Sequence, residues 1–477
     1  MNLFGRARDL LVAILHPQAV DTSTGDGRAR ERYRRAAVTT ITSLSARGMT
    51  LLTVVISVPL TLKYLGSERY AVWMTISSLI AMLTFADLGI GNGLLNAVSE
   101  SHGKGDPDLA AGYISSGFFL LCGMAGAVIL GGAVVYPFVS WASLFNLSSA
   151  LAIKESGPAA AVFVICFALN LPFGVVQRVQ MGYQQGFIND LWNVIGKVLG
   201  LVALLLGIYR HAGLPWLVLA MTGVPVLACV ANTWVVFGHS RPWLRPKWSK
   251  ASKKAAARLL HMGGYFFILQ TSVAVATSSD NFIAARLLGP AAVTEFSIAA
   301  RMFSIVPLML IMAMNPLWPA YGESIARGEV GWAVTTLRRS LLVTFCLTSA
   351  SCVFLIFCGH WLLRLWVGPE LNLSMGLLVC IGASTVLTTA ANAVGVFLNG
   401  ANLMKVEVIS AISVAIGAIV FKVFFVSRMG LTGLPLGTIL AYSLFVWVPI
   451  VLFVPKLLSE MRLSYCGQCA PEFGASD

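Results

Sequence analysis

An arginine stands in the middle of the first long apolar segment, in Ser43-Leu44-Ser45-Ala46-Arg47-Gly48-Met49-Thr50. A second lies inside a later one, in Ser297-Ile298-Ala299-Ala300-Arg301-Met302-Phe303-Ser304. A charge within a bilayer costs from roughly 3 kcal/mol on insertion scales to more than 10 in simulations, so it faces a bundle interior or a wet cavity. Each arginine has hydroxyl residues at i−4 and i+3, which puts it on a polar helical stripe. Arg47 with Ser43 and Thr50, and Arg301 with Ser297 and Ser304, are therefore candidate anion-binding groups. Lys197, in Asn193-Val194-Ile195-Gly196-Lys197, is a third candidate cation.

These residues must be positioned by membrane-spanning helices. Hydrophobic residues make up 57% of the 477, charged residues 11%, and the mean hydropathy is +0.81. Soluble chains carry about 25% charged residues. Many apolar stretches exceed the ~18 residues a helical crossing needs, and they are too continuous for barrel strands. The expectation is an all-α polytopic membrane protein of about twelve spans, roughly 37–62, 70–98, 111–139, 158–182, 188–208, 214–238, 260–285, 291–318, 340–364, 373–399, 403–425 and 431–455.

The net charge of +13 would suit nucleic acid in a soluble protein, but its placement assigns it to topology. With a cytoplasmic N-terminus, 22 of the 33 Lys+Arg fall on the cytoplasmic side and 8 on the other, as the positive-inside rule requires. No nucleic-acid partner is expected; anionic lipid headgroups are. Residues 1–16 read as a short interfacial helix and 17–35 as flexible. Lys422 reads as snorkelling to an interface, and Lys405 and Glu407 as solvated on a turn. The CxxC of Cys466 and Cys469 has no second pair and no nearby histidine, so no metal site is expected.

The chain repeats itself. Leu65-Gly66 and Leu288-Gly289 are 223 residues apart, Gly182 and Gly400 are 218, and Gly213-Leu214-Pro215 and Gly433-Leu434-Pro435 are 220. All sit at matching junctions, which indicates an internal duplication. Six spans per half is an even number, so the repeats are parallel, two six-helix bundles around a central cavity. The expected organisation is an N-terminal cytoplasmic segment (1–36), a first bundle (37–238), a basic cytoplasmic linker (239–259), a second bundle (260–456) and a cytoplasmic tail (457–477). Adding 223 to position 47 gives Gln270, a neutral polar group where the first half has a cation.

Two acids lie at membrane depth. Asp87 fits a coupling proton site, an ion pair with a cavity arginine, or a helix break beside Gly89 and Gly91. Asp280 fits a cation site or a pair with Arg286. There is no Gly-Lys phosphate loop, no His-Glu-x-x-His and no nucleophile elbow, so an enzyme is not expected.

The strings Lys63-Tyr64-Leu65-Gly66-Ser67-Glu68-Arg69-Tyr70-Ala71-Val72-Trp73, Ala86-Asp87-Leu88-Gly89-Ile90-Gly91-Asn92-Gly93, Asp280-Asn281-Phe282 and Arg286-Leu287-Leu288-Gly289-Pro290 resemble the multidrug/oligosaccharidyl-lipid/polysaccharide superfamily, and within it the Wzx-type O-antigen and exopolysaccharide flippases. Ala71 departs from the glycine usual after the aromatic in that branch's first loop. The resemblance implies a multi-pass protein of a bacterial inner membrane with both termini cytoplasmic. Its substrate would be an oligosaccharide on undecaprenyl diphosphate, moved to the periplasmic leaflet by alternating access. It implies no cofactor, H+ or Na+ as coupling ion, and a polymerase and chain-length regulator as pathway partners. Diphosphate favours permanently charged, fork-shaped donors, which suits Arg47 and Arg301. The competing expectation is a cation-coupled multidrug antiporter of the same superfamily, which Asp87 and Asp280 keep open.

Overall fold

A computed structural model describes residues 24–83, 87–141, 147, 149–366 and 373–452. The expected interfacial helix of 1–16 and the Cys466/Cys469 pair lie outside these residues. Every regular element among the described residues is a helix. In chain order they are α1 (Gly25–Leu83), α2 (Ile90–Lys104), α3 (Pro107–Val135), α4 (Ala150–Phe173), α5 (Val175–Gly182), α6 (Gly186–Tyr209), α7 (Leu214–Ser240), α8 (Lys253–Leu287), α9 (Pro290–Met314), α10 (Leu317–Ala326), α11 (Val330–Trp366), α12 (Met375–Gly400), α13 (Met404–Met429) and α14 (Gly433–Tyr442), which continues as a π-helical stretch Ser443–Trp447.

Nine stretches among the described residues are long and apolar enough to cross a bilayer. The last, Met404–Leu452, contains two expected spans, and the first two expected spans lie in α1 and α2. Each of the twelve thus has a helical counterpart, and the protein is an all-α, multi-pass membrane protein.

Two boundaries differ from expectation. Residues 25–35, read as flexible, are the first turns of α1. The Thr24 hydroxyl accepts from Gly27 N (3.1 Å), Asp26 lies in the positive first turn, and Glu31 pairs with Arg34 and Arg35 at 2.7 Å each. Those guanidinium groups hold the Glu31 carboxyl below its ordinary range. The second expected span, 70–98, is broken: α2 starts afresh at Ile90 after a turn at Asp87–Gly89.

The chain divides into two compact units between Gly264 and Tyr265, inside α8. In the first, α2, α3, α5 and α7 bury Leu94, Val98, Ile114, Val176 and Phe237 together. A second cluster holds Phe163, Leu204, Leu214 and Leu217. In the second unit, α8, α9, α11, α12 and α13 bury Ile283, Phe303, Cys352, Ile381 and Val426.

The duplication is visible in the backbone. Left-handed residues recur in register: Gly66 (φ 72°) with Gly289 (φ 94°), Gly105 (68°) with Gly328 (79°), Gln184 (57°) with Asn402 (58°), and His211 (54°) with Gly430 (63°). The first two pairs are 223 residues apart, the others 218 and 219. Left-handed conformations are costly for most residues, so four recurrences at these offsets mark one plan used twice. Leu88 (48°) and Gly89 (73°) have no left-handed counterpart among the described residues of the second unit.

The repeated Gly-Leu-Pro opens α7 and α14. A Cβ at Gly433 would collide with the backbone of Phe425 and Val426 in α13, a clash that no side-chain rotation relieves. Gly433→Ala is expected to destabilise the second unit by about 1–3 kcal/mol or more, the usual range for overpacking. A lowered thermal midpoint of the purified protein is the check.

The residues expected to link the halves are fastened to the first unit. Lys247 N donates to Ser115 Oγ (3.1 Å) and Ser252 N to Ser116 Oγ (3.0 Å). Arg258, already in α8, pairs with Glu100 at 2.6 Å and donates to the Tyr113 hydroxyl.

Candidate functional site

The first unit gathers four expected residues and adds an unforeseen one. α1 and α6 pack closely because α6 begins at Gly186, where a Cβ would lie 2.6 Å from Thr39 Cγ2. The stripe on α1 that carries Ser43, Arg47 and Thr50 then faces Asp190 and Lys197, two turns apart on α6. Lys197 Nζ donates to Thr50 Oγ1 (2.6 Å). Ser43 Oγ (2.5 Å) and Thr42 Oγ1 (3.2 Å) both donate to Asp190 Oδ2. Lys197 feels two charges, repulsion from Arg47 and attraction from Asp190. Arg47 is exposed, with no carboxylate within ion-pair distance among the described residues. Lys197 thus has a second cation and one acid as charged neighbours, with hydroxyls bonded to the lysine and to the acid. Asp190 was not singled out from the sequence, although its i−7 spacing from Lys197 places both on one helical face.

The second unit treats its counterparts differently. Arg301 is exposed on α9. Ser297 Oγ donates to Asn281 Oδ1 on α8 (3.1 Å), and Ser304 Oγ donates to the Arg301 carbonyl oxygen (2.7 Å). Gln270 is half-buried on α8. The polar stripe of α9 stands, but its hydroxyls are engaged with neighbouring groups rather than with a second cation.

Asp280 is paired with Lys422, not with Arg286. Lys422 is 1% exposed. Its Nζ lies 2.7 Å from Asp280 Oδ1 and donates to the Ala276 carbonyl oxygen (2.7 Å) and more weakly to Ser279 Oγ (3.5 Å). The expected snorkelling is overturned by packing. A Cβ at Gly437 would sit 2.7 Å from Lys422 Cγ, so α14 closes over the lysine stem and leaves Asp280 as its partner. Glu407 is likewise not solvated. It lies in the first turn of α13 against α12, with Oε1 accepting from Asn399 Nδ2 at 3.3 Å and Oε2 buried. A Cβ at Gly395 would come within 2.8 Å of Oε1; the missing side chain there makes room for the carboxyl.

Asp87 holds the break before α2. Its Oδ1 accepts from Gly89 N (2.9 Å) and its Oδ2 from Gly91 N (3.2 Å), so it satisfies the free amides of a helix start. Arg178, not singled out from the sequence, stands opposite: a Cβ at Gly91 would lie 2.8 Å from Asp87 Oδ2 and 2.9 Å from Arg178 Nε. Of the three roles open to Asp87, the geometry displays the helix-breaking one together with a nearby arginine. Gly263 of α8 touches this break, where a Cβ would sit 2.9 Å from the Leu88 carbonyl oxygen.

Beyond the spans, Tyr183 forms the centre of a basic patch. The Arg241 guanidinium lies 3.8 Å from its ring centroid, His102 packs on the ring at 4.7 Å, and Arg35 Nη1 donates to its carbonyl oxygen (3.4 Å). Burial pushes the tyrosine hydroxyl up, and Arg241 partly offsets it.

Known proteins share this architecture. An outward-facing MATE-family transporter of the MOP superfamily superposes with a TM-score of 0.73 at 16% identity, over 91% of this chain and 97% of that one. A MOP-superfamily transporter from Pyrococcus furiosus Vc1 (DSM3638) gives 0.74 at 15% identity, over 90% and 97%. In sequence, the chain is 22% identical over 399 residues to the putative O-antigen transporter of Salmonella typhimurium, covering 82% of this chain and 90% of that protein. It is 19% identical over 435 residues to the putative O-antigen export protein of Yersinia pseudotuberculosis, covering 89% and 98%. The family model described as polysaccharide biosynthesis protein matches residues 35–324. With its motifs, its internal duplication and this match in agreement, the chain belongs to the polysaccharide biosynthesis protein family.

Proposed function

We propose that this protein is a flippase. It moves an oligosaccharide linked to undecaprenyl diphosphate from the cytoplasmic to the periplasmic leaflet of a bacterial inner membrane, by alternating access, for surface or exopolysaccharide assembly. The observation that carries this reading is the Arg47–Lys197 pair: two neighbouring cations, Asp190 as the acid near Lys197 only, and hydroxyls at hydrogen-bond distance. An anionic headgroup supplies the missing negative charge, and a guanidinium matches its oxygens in a fork. The names of the Salmonella and Yersinia relatives point the same way. No bond is broken in flipping, so no catalytic group is needed; Arg301 is a candidate anion contact on the second unit.

Both termini are cytoplasmic in this reading, which puts the basic patch around Tyr183 on the side where the substrate is made. Coupling to H+ or Na+ falls to Asp87 or Asp280, each of which must exchange its present partners for the ion. The multidrug antiporter keeps its support from the MATE-like fold, but a cationic drug would meet the positive excess around Arg47.

The test is a strain lacking the gene. Lipid-linked oligosaccharide is expected to accumulate on the cytoplasmic face, out of reach of a membrane-impermeant glycan label, and to become accessible when the gene is restored. Accumulation that is already label-accessible in the deletion strain refutes the flippase. Export of cationic dyes in place of glycan transfer would install the antiporter.

A further inference from the structure

The second unit contains an apolar pocket beside Arg301. It measures about 730 Å3 and lies between α9 and α11, lined by Met302, Ile305, Val306, Phe354, Leu355 and Leu362, with Ala350 and Ser351 at its wall. This volume falls within the roughly 300–1,000 Å3 typical of small-molecule sites. Ile305 is 58% and Phe354 60% exposed, so the pocket is an open cleft rather than a sealed void.

Its position on α9 carries the argument. At about 100° per residue, Ile305 stands roughly 40° around the helix from Arg301, Met302 roughly 100° and Val306 roughly 140°, while Ser297 and Ser304 stand roughly 40–60° to the other side. One helix therefore presents a cation with two hydroxyls on one stripe and an apolar pocket on the adjoining stripe. Arg301 is at the border, one turn from Ile305. Sugars or a water-soluble anion alone would not use both surfaces, and an ordinary acyl chain would not need the arginine. A single ligand that spans the border has a phosphorylated head joined directly to a hydrocarbon tail.

We infer that the cleft between α9 and α11 is the seat of the isoprenoid portion of a polyprenyl diphosphate whose head is held at Arg301. The inference rests on the flippase reading and deepens it, by assigning to the second unit the recognition of the lipid rather than of the glycan. The tail is held against Phe354, Ile305 and Leu362, and the first isoprene unit passes the Arg301 turn. The diphosphate then lies next to the serine stripe.

Binding to the purified full-length protein in detergent tests it, with geranylgeranyl diphosphate and inorganic diphosphate as probes. The wild type is expected to prefer the prenylated probe by at least about tenfold. Ala350→Trp, which fills the cleft from an exposed position, is expected to abolish that preference and leave inorganic diphosphate binding unchanged. Arg301→Ala is expected to weaken both probes. Phe354→Ala removes a wall by truncation at another exposed position and is expected to reduce the preference. Preference retained in both cleft variants overturns the inference while leaving the flippase reading intact. Displacement of geranylgeranyl diphosphate by an equal concentration of phosphatidylglycerol also overturns it, because the cleft would then hold any bilayer lipid. Failure of the wild type to bind either diphosphate overturns the flippase reading itself.

Discussion

Replacing Arg47 by alanine is expected to abolish translocation and leave a folded, inserted protein. Arg47 is exposed within the first unit and has no carboxylate partner among the described residues, so its removal strands no buried charge. What is lost is the headgroup contact. Charge-assisted hydrogen bonds contribute about 1.5–3 kcal/mol each. Two from one fork, at about 1.4 kcal/mol per tenfold, amount to a loss of at least ~100-fold in transfer. Arg47→Lys keeps the charge but not the fork, and places a second ammonium beside Lys197, so it is expected to recover only a minor part. The measurement is the rate at which lipid-linked oligosaccharide becomes accessible to an impermeant label, with helicity and thermal midpoint recorded on the same purified variants. Wild-type transfer by Arg47→Ala would remove residue 47 from the substrate path.

The second large effect concerns stability rather than transport. Asp280 and Lys422 form an ion pair in which the lysine is almost wholly enclosed. Breaking such a pair by deleting one partner leaves an uncompensated charge and costs about 3–5 kcal/mol. Lys422→Ala and Asp280→Ala are each expected to lower the thermal midpoint sharply and to reduce the yield of inserted protein. The double replacement Asp280→Leu with Lys422→Met removes both charges and is expected to recover most of the loss, as apolar substitutes for buried pairs do. A double variant no better than either single one would show that the contribution lies in the lysine's bonds to Ala276 and Ser279 and not in the pair. If the double variant is stable but transports without ion dependence, Asp280 is the coupling residue.

The parts of this protein legible in its sequence are those set by local rules. Hydropathy pointed to about twelve helical spans because a helix in lipid must satisfy its own backbone. Offsets between Gly66 and Gly289 or Gly182 and Gly400 exposed the duplication, because each lies where the chain turns or ends a helix. Ser43, Arg47 and Thr50 share a face by helical spacing alone. What escaped depends on packing between segments far apart in the chain. Lys422 was read as an interfacial snorkeller because nothing near it in sequence tells that Gly437 allows α14 to cover it. Glu407 was read as solvated because Gly395, twelve residues earlier, is what makes room for it. Asp190 was overlooked because its partners Ser43 and Thr42 lie 147 and 148 residues away.

The interruption before α2 has one further implication. In the first unit the chain turns through left-handed Leu88 and Gly89, with Asp87 gripping the new helix start. In the second, α9 gives way to α10 at Asn315 and Pro316, with ordinary right-handed torsions. A leucine held left-handed stores strain that its surroundings must contain, whereas a proline ring restricts its own rotation at no such expense. Duplication thus produced two elbows of unlike temper, a loaded one and a relaxed one.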